Sequence, residues 1–192
     1  MNISDRIIKA IEVSAIAHQG QTRKGSNTPY ISHPYAVALI CQHYNDDEDI
    51  FIGALLHDVL EDVSPDIYSA DDIRNTFGEN VLDLVKGVSE KKTDNNKDIP
   101  WEERKIAYIR NLKDIASEGS IIISAADKIH NLKSILSEYE IIGDKIWERF
   151  NSKPNEQLWF YGSIADVVEE RMPKSLVSSE LKSHVDKLKV II

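Results

Sequence analysis

The 192-residue chain contains one cysteine, Cys41, so it cannot close a disulfide bond within itself. Disulfide frameworks belong to oxidising compartments, and a lone cysteine fits a reducing cytoplasm. No apolar run approaches the roughly 18 residues that a membrane span needs, and the N-terminus lacks the basic and apolar regions of a signal peptide. We therefore expect a cytoplasmic protein without a membrane partner.

Positive charge is also in deficit, with 23 Lys and Arg against 32 Asp and Glu, a formal net charge of -9. Proteins that bind nucleic acids or anionic membranes in a general way need a field of Lys and Arg. The balance therefore argues against nucleic-acid partners, but it is compatible with a small anionic substrate held by a local basic patch.

Glycine and proline are scarce, at 8 and 6 residues, which favours helices over turns and loops. Apolar residues recur at helical spacing, and no segment alternates with the period of a strand. The predicted helices cover residues 4–19 with Ser4 as N-cap, a segment from Ser32, 50–62, 71–77 ending at Gly78, 81–88, Pro100 to Gly119, 120–139, and two or three segments over 145–192, the last opened by Pro173. We predict an all-α helical bundle that forms a single domain over residues 1–192.

Ionisable side chains interrupt helices that otherwise look buried. His57 and Asp58 end the apolar run IFIGALL, and Glu61 and Asp62 follow four residues later. In a continuous helix, His57 and Glu61 share one face, and Asp58 and Asp62 share the neighbouring face. Three carboxylates this close repel one another unless a cation neutralises them or a proton is shared.

Two further residues extend this set: His33 near a helix start, and Asp127 within the apolar run IIISAADKIHNL. Taken singly, each has a structural explanation: a capping or surface histidine, a hydrogen-bonded His57–Asp58 pair, and an Asp127–Lys128 ion pair. Taken together, two imidazoles and two carboxylates suit Mn²⁺, Fe²⁺ or Zn²⁺. Four protein ligands on an octahedral ion leave about two positions for water or substrate.

The residues around these positions form segments that occur in the order of a known family. They are AHQGQTRKGSNTPYISHPYAVA at 17–38, GALLHDVLEDV at 53–63, FGENVLDLVKGVSE at 77–90, WEERK at 101–105 and AADKIHNLKSI at 125–135. In them the chain resembles the HD superfamily of metal-dependent phosphohydrolases, and more closely the alarmone hydrolases. These comprise the hydrolase domain of RelA/SpoT proteins and the Mesh1-like small alarmone hydrolases, and the core segments of the resemblance span 17–135.

The resemblance implies a role for each residue of the candidate site. It implies one Mn²⁺ per chain bound by His33, His57, Asp58 and Asp127, and a water nucleophile activated and oriented by Glu61 and Asp62. It also implies substrate contacts from Arg23, Lys24, Lys105 and Asn131. The implied activity is that of a guanosine-3′,5′-bis(diphosphate) 3′-diphosphatase, which converts (p)ppGpp to pyrophosphate and GDP or GTP in the stringent response.

Several alternatives stay open at this stage. One is an HD phosphohydrolase of another nucleotide, such as a 3′-phosphorylated adenine nucleotide, NADPH or a dNTP. Another is a nucleotide-sensing module without catalysis, and for Arg104-Lys105 the alternative is a solvated surface patch. The sequence does not decide between guanine and adenine, between ppGpp and pppGpp, or between monomer and homo-oligomer, and it leaves the regulatory partners and the role of residues 152–192 open.

Overall fold

The computed structural model of the chain describes residues 3–94 and 97–192. The polar segment EKKTDNNKDIP at 90–100 predicts a loop, and its residues Asn95 and Asn96 lie outside the described residues. The helices are α1 (Asp5–Ala17), α2 (Ser32–Tyr44), α3 (Glu48–Leu56), α4 (Val59–Asp62), α5 (Ala70–Phe77), α6 (Glu79–Val88), α7 (Trp101–Asp114), α8 (Glu118–Ile142), α9 (Pro154–Arg171) and α10 (Leu176–Ile191), with a 3-10 helix at Gly143–Arg149. The all-α prediction is confirmed.

Two predicted helix ends, the start of α1 and the end of α5, have the residues and the capping that the sequence predicts. The Ser4 side chain accepts a hydrogen bond from the backbone N–H of Ile7 and caps α1. Gly78 ends α5 with a φ of 95°, a conformation that glycine adopts without steric cost. No helix among the described residues combines the length and the apolar character needed to cross a membrane.

The prediction of one continuous helix over 50–62 is wrong, because the helix is interrupted at His57 and Asp58, between α3 and α4. Nδ1 of His57 lies 2.8 Å from the carbonyl oxygen of Ala54. In an uninterrupted helix that oxygen would accept from the N–H of Asp58. The imidazole takes its place, so His57 itself causes the break that the helical pattern could not reveal.

Two further boundaries were also predicted wrongly. Gly119 does not end a helix but lies in the first turn of α8, which Ser117 caps. A Cβ atom at Gly119 would lie 2.5 Å from Leu84, so this glycine permits close packing of α8 on α6. Pro173 does not open the last helix, because Ser175 caps α10 and accepts from the backbone N–H of Ser178.

The polar loop contains two short paired strands that the sequence pattern did not predict. The strands β1 (Thr93–Asp94) and β2 (Lys97–Asp98) pair antiparallel, with Thr93 opposite Asp98. All four residues are exposed. Two-residue strands are too short to show the alternation on which strand prediction depends.

Helix α8 is shared by two hydrophobic clusters. One cluster joins α8 to α1, α2, α3, α5 and α6, and α8 contributes Ile122, Ile123 and Ala126 to it. The other joins α8 to α7, α9 and α10 through residues such as Ala125 and Ile129. Asp127 therefore lies in the middle of a long helix that contributes buried residues to both clusters.

Candidate metal centre and active site

Three elements bring the predicted metal ligands together: the first turn of α2, the break between α3 and α4, and the middle of α8. Ligand atoms of His33, His57 and Asp58 lie within 4.8 Å of one another. Oδ1 of Asp127 is 3.1 Å from Nε2 of His33 and 4.0 Å from Nε2 of His57. The side chains of all four residues face a common space.

His57 provides a direct test of whether this space fits a cation. Its Nδ1 faces the carbonyl oxygen of Ala54, which can only accept, so Nδ1 carries the proton. Its Nε2 is buried and has no hydrogen-bond partner among the described residues, although Oδ2 of Asp58 lies 3.1 Å away. A buried polar nitrogen without a partner is costly, and a bound divalent metal ion would take this nitrogen as a ligand. Imidazole and carboxylate ligands suit the first-row metals Mn²⁺, Fe²⁺ and Zn²⁺.

The candidate ligands Asp58 and His33 also have outer contacts that orient them. The Tyr30 hydroxyl donates to Oδ2 of Asp58 at 2.6 Å. Burial and the Asp58 carboxylate raise the pKa of Tyr30, so the hydroxyl keeps its proton and remains a donor. Nδ1 of His33 lies 2.8 Å from Nδ1 of His130. Burial, His33 and Arg23 lower the pKa of His130 to about 4.

Asp127 is held from two sides. Its Oδ2 pairs with the Lys128 ammonium, and its Oδ1 accepts from the Asn131 amide at 2.6 Å. Burial opposes ionisation of Asp127, but Lys128 and His33 outweigh it and hold its pKa well below the usual range. The structure thus contains the Asp127–Lys128 ion pair considered from the sequence, in addition to the cluster of ligand atoms.

The predicted catalytic carboxylates lie on α4, beside the ligand cluster. Oε2 of Glu61 accepts from the backbone N–H of Glu90 at 3.2 Å. The ammonium of Lys92 lies 3.3 Å from Oε1 of Glu61 and also pairs with Asp62. Burial and the Glu90 carboxylate raise the pKa of Glu61, while Lys92 lowers it less strongly.

The predicted substrate-binding residues line two adjoining cavities. The first has a volume of about 160 Å³ and holds Arg23, Asn131 and Lys105 together with the metal-ligand set. Arg23 donates to the Asn131 side-chain oxygen at 2.9 Å, and the Lys105 ammonium pairs with Glu90. Burial lowers the pKa of Lys105 although Glu90 opposes it.

The second cavity is less polar and measures about 300 Å³. It shares Arg23, Tyr30 and Asn131 with the first cavity. Lys24 lies here rather than among the metal ligands, with its ammonium 5.7 Å from the centre of the Phe150 ring. The other lining residues are Ser134, Ile135, Glu138, Ile146, Arg149, Phe150 and Tyr161.

Residues that contact predicted site residues but that the sequence pattern did not indicate include Tyr30, Glu90, Lys92 and His130. His130 had a usable signal, because it lies three residues after Asp127 and so projects from the same side of α8. Glu90 and Lys92 had none, because they belong to the polar loop, whose path depends on tertiary contacts. Tyr30 lies three residues before His33, but the spacing of residues in a loop does not indicate direction.

Comparison with known proteins relates this arrangement to a family. A family model described as HD domain matches residues 10–148. The bifunctional (p)ppGpp synthase/hydrolase SpoT of Escherichia coli K12 is 38% identical over 135 residues, which is 68% of this chain and 18% of that protein. A guanosine-3′,5′-bis(diphosphate) 3′-pyrophosphohydrolase of Haemophilus influenzae is 36% identical over 124 residues, or 62% of this chain and 17% of that protein.

The chain therefore spans less than a fifth of the length of these curated relatives. A solved structure of a metazoan ortholog of SpoT, described as hydrolysing ppGpp and acting in starvation responses, matches with a TM-score of 0.77. It covers 100% of this chain and 99% of its own at 23% sequence identity. At that identity the similarity demonstrates a shared fold.

Proposed function

The chain belongs to the HD domain family, and we propose that it is a metal-dependent (p)ppGpp 3′-pyrophosphohydrolase. In the proposed reaction a water oxygen attacks the phosphorus attached to the 3′ oxygen of the nucleotide. The bond between that phosphorus and the 3′ oxygen breaks, the 3′ oxygen gains a proton, and pyrophosphate leaves with GDP or GTP as the other product. The observation that carries the proposal is the cluster of His33, His57 and Asp58 in one cavity with Glu61, next to a second cavity of about 300 Å³.

His33, His57, Asp58 and Asp127 would hold the metal ion, which we propose to be one Mn²⁺ per chain. The chemistry that a bound divalent cation supplies is Lewis acidity toward the water nucleophile and the phosphoryl oxygens. The protein fixes the proton of His57 on Nδ1 through Ala54 and so keeps Nε2 available as a ligand atom. Tyr30 and Lys128 hold the Asp58 and Asp127 carboxylates in place.

Glu61 is the proposed general base. Its raised pKa brings its affinity for a proton closer to that required at neutral pH. The backbone N–H of Glu90 fixes one oxygen of Glu61, and the other oxygen faces Lys92. Asp62, held by the same lysine, is proposed to orient the water.

The two cavities suggest how an anionic nucleotide binds to an acidic protein. Arg23 and Lys105 supply cations in the metal cavity, where the 3′-diphosphate would lie. The adjoining cavity offers Lys24, the Phe150 ring and the Tyr161 ring to the nucleoside. Asn131 lies on the boundary, where it contacts both Arg23 and Asp127.

A substrate panel with Mn²⁺ tests the proposal. It compares ppGpp and pppGpp with a 3′-phosphorylated adenine nucleotide, NADPH, a dNTP and a generic phosphodiester, and it measures release of pyrophosphate or phosphate. We expect pyrophosphate from ppGpp at the highest kcat/KM. Cleavage of the phosphodiester without pyrophosphate release from ppGpp would refute the substrate, and no turnover of any compound would favour a sensing module.

The remaining proposals concern the protein as a whole. We propose that residues 1–192 form a single domain that acts in the cytoplasm. Elemental analysis of the purified protein tests the stoichiometry, and about one Mn per chain is expected. Binding of a different first-row divalent metal with full activity would correct the identity of the metal but not the site.

A further inference from the structure

The two candidate metal histidines have different outer partners. Nδ1 of His57 faces the Ala54 carbonyl oxygen at 2.8 Å, and Nδ1 of His33 faces Nδ1 of His130 at the same distance of 2.8 Å. A carbonyl oxygen can only accept a hydrogen bond, whereas a neutral imidazole nitrogen either donates or accepts. The tautomer of His57 is therefore fixed, but the tautomer of His33 depends on His130.

A single proton must lie between the two Nδ1 atoms, because two lone pairs or two N–H groups at this distance would repel. Nε2 of His33 lies 3.1 Å from Oδ1 of Asp127. When no cation occupies Nε2, this nitrogen can donate an N–H···O hydrogen bond to Asp127 over such a distance. A neutral His33 with its proton on Nε2 has a lone pair on Nδ1. His130 is then the donor.

Metal binding requires the opposite arrangement. A cation takes the lone pair of Nε2 of His33, so that the only proton on this ring is on Nδ1. His33 then becomes the donor and His130 the acceptor. The contact between the two Nδ1 atoms can be kept in both states because each imidazole nitrogen can either donate or accept.

We propose that His130 is the positioning residue for the metal ligand His33, and that metal binding reverses the direction of the hydrogen bond between them. The proton on Nε2 of His33 passes to solvent, and the proton between the two Nδ1 atoms moves to His33. Nε2 of His130 gains a proton from solvent, which is accessible because this residue is partly exposed. The histidine pair holds two protons before and after, and its charge stays the same.

This inference rests on the metal site of the proposed function but not on its substrate. Its first test is imidazole ¹⁵N NMR of the wild-type chain, metal-free and loaded with Zn²⁺, which is diamagnetic. We expect Nδ1 of His130 to change from the protonated to the unprotonated type when Zn²⁺ binds, and Nδ1 of His57 to stay protonated. Nδ1 of His130 that keeps its proton in the Zn²⁺ form would overturn the proposal.

The second test measures Zn²⁺ and Mn²⁺ affinity by competition with a fluorescent chelator. His130→Phe keeps a ring but removes the acceptor, and the dissociation constant should rise about 10- to 100-fold, the usual effect of losing an outer partner. His130→Asn places an amide oxygen where Nδ1 lies and should retain affinity within a few-fold. His43→Phe, at an exposed histidine of α2, is the control and should leave affinity unchanged.

Each outcome has a distinct meaning. Wild-type affinity in the Phe variant would overturn the role of His130, and a loss in the Asn variant equal to that in the Phe variant would show that the acceptor is not what matters. If ppGpp is not hydrolysed while the affinity series follows expectation, the substrate assignment fails and this inference stands. If the wild-type chain binds neither metal, both fail.

Discussion

The ammonium group of Lys92 lies 3.3 Å from Oε1 of Glu61, although all of α5 and α6 separates these residues along the chain. On the other side of Glu61, the Glu90 backbone donates to Oε2 while the Glu90 carboxylate repels the ionised form. Two residues of the same loop thus act on the pKa of the candidate base in opposite directions. We therefore expect substitutions of Lys92 and Glu90 to shift the pKa of Glu61 in opposite directions.

Removal of Lys92 should move the acidic limb of the pH–rate profile to higher pH. Glu61 must be ionised to accept a proton, so activity falls as the pH drops through its pKa. Lys92 lowers that pKa, and Lys92→Met should therefore raise it. The profile of kcat/KM against pH measures the shift, and Lys91→Met, next along the chain and paired with Asp94, is the matched control.

Neutralising Glu90 should move the same limb to lower pH. The Glu90 carboxylate raises the pKa of Glu61, and Glu90→Gln removes its charge while the backbone contact to Glu61 remains. Glu103→Gln, at an exposed position of α7, controls for the change in net charge. An acidic limb that shifts upward or stays in place in Glu90→Gln would mean that Glu61 is not the group that titrates.

Loss of a metal ligand should abolish both metal binding and turnover. His57→Ala removes the buried Nε2, and Asp58→Asn weakens the neighbouring oxygen ligand. Elemental analysis should show the bound metal falling from about one per chain to none, with pyrophosphate release lost in parallel. His43→Ala should retain both, and an active His57→Ala variant would disprove the site.

Arg23→Ala should raise KM and change kcat little. Arg23 lines both cavities and bonds to Asn131, but it does not contact the ligand cluster. A hydrogen bond to a charged group contributes roughly 1.5–3 kcal/mol, which corresponds to about a 10- to 150-fold rise in KM. Steady-state kinetics with ppGpp measure the change in KM, and Arg110→Ala, at an exposed position of α7, is the control. A fall in kcat at constant KM would place Arg23 in the chemical step instead.

Alanine variants of two glycines in the loop before α2 distinguish the effect of backbone strain from the effect of a steric clash. Gly20 and Gly25 have φ values of 79° and 77°, so alanine at either position costs about 1–2 kcal/mol. A Cβ atom at Gly25 would also collide with the Arg149 side chain, whereas a Cβ at Gly20 meets nothing within 4 Å. Thermal denaturation should show similar losses for both variants, and only Gly25→Ala should raise KM. Equal KM values would mean that the second cavity does not hold the substrate.

The sequence predicted those parts of the site that depend on short-range geometry. Asp127 and Asn131 are four residues apart on α8, and they contact each other as the helical spacing indicates. His57 and Asp58 were expected together because they are adjacent. Such predictions need only the 3.6-residue period and an apolar surrounding.

The rest depends on contacts that no period encodes. The helix break at His57 arises because a side chain competes for the carbonyl oxygen of Ala54, which the pattern of apolar residues does not indicate. Lys92 reaches Glu61 through the path of a loop, and Lys24 turns to the second cavity although its neighbour Arg23 lines both. Tertiary packing determines where the side chains of a loop point.

The shared position of α8 has a consequence for genetics. Because Asp127 sits on a helix that contributes buried residues to both hydrophobic clusters, we expect a loss of packing in either cluster to displace the same carboxylate. Partial loss-of-function alleles should therefore be found in both clusters, at positions such as Ile122 and Leu132, which are buried in one cluster each and line neither cavity. Reversion of such an allele should occur within its own cluster, by a substitution that restores volume around α8.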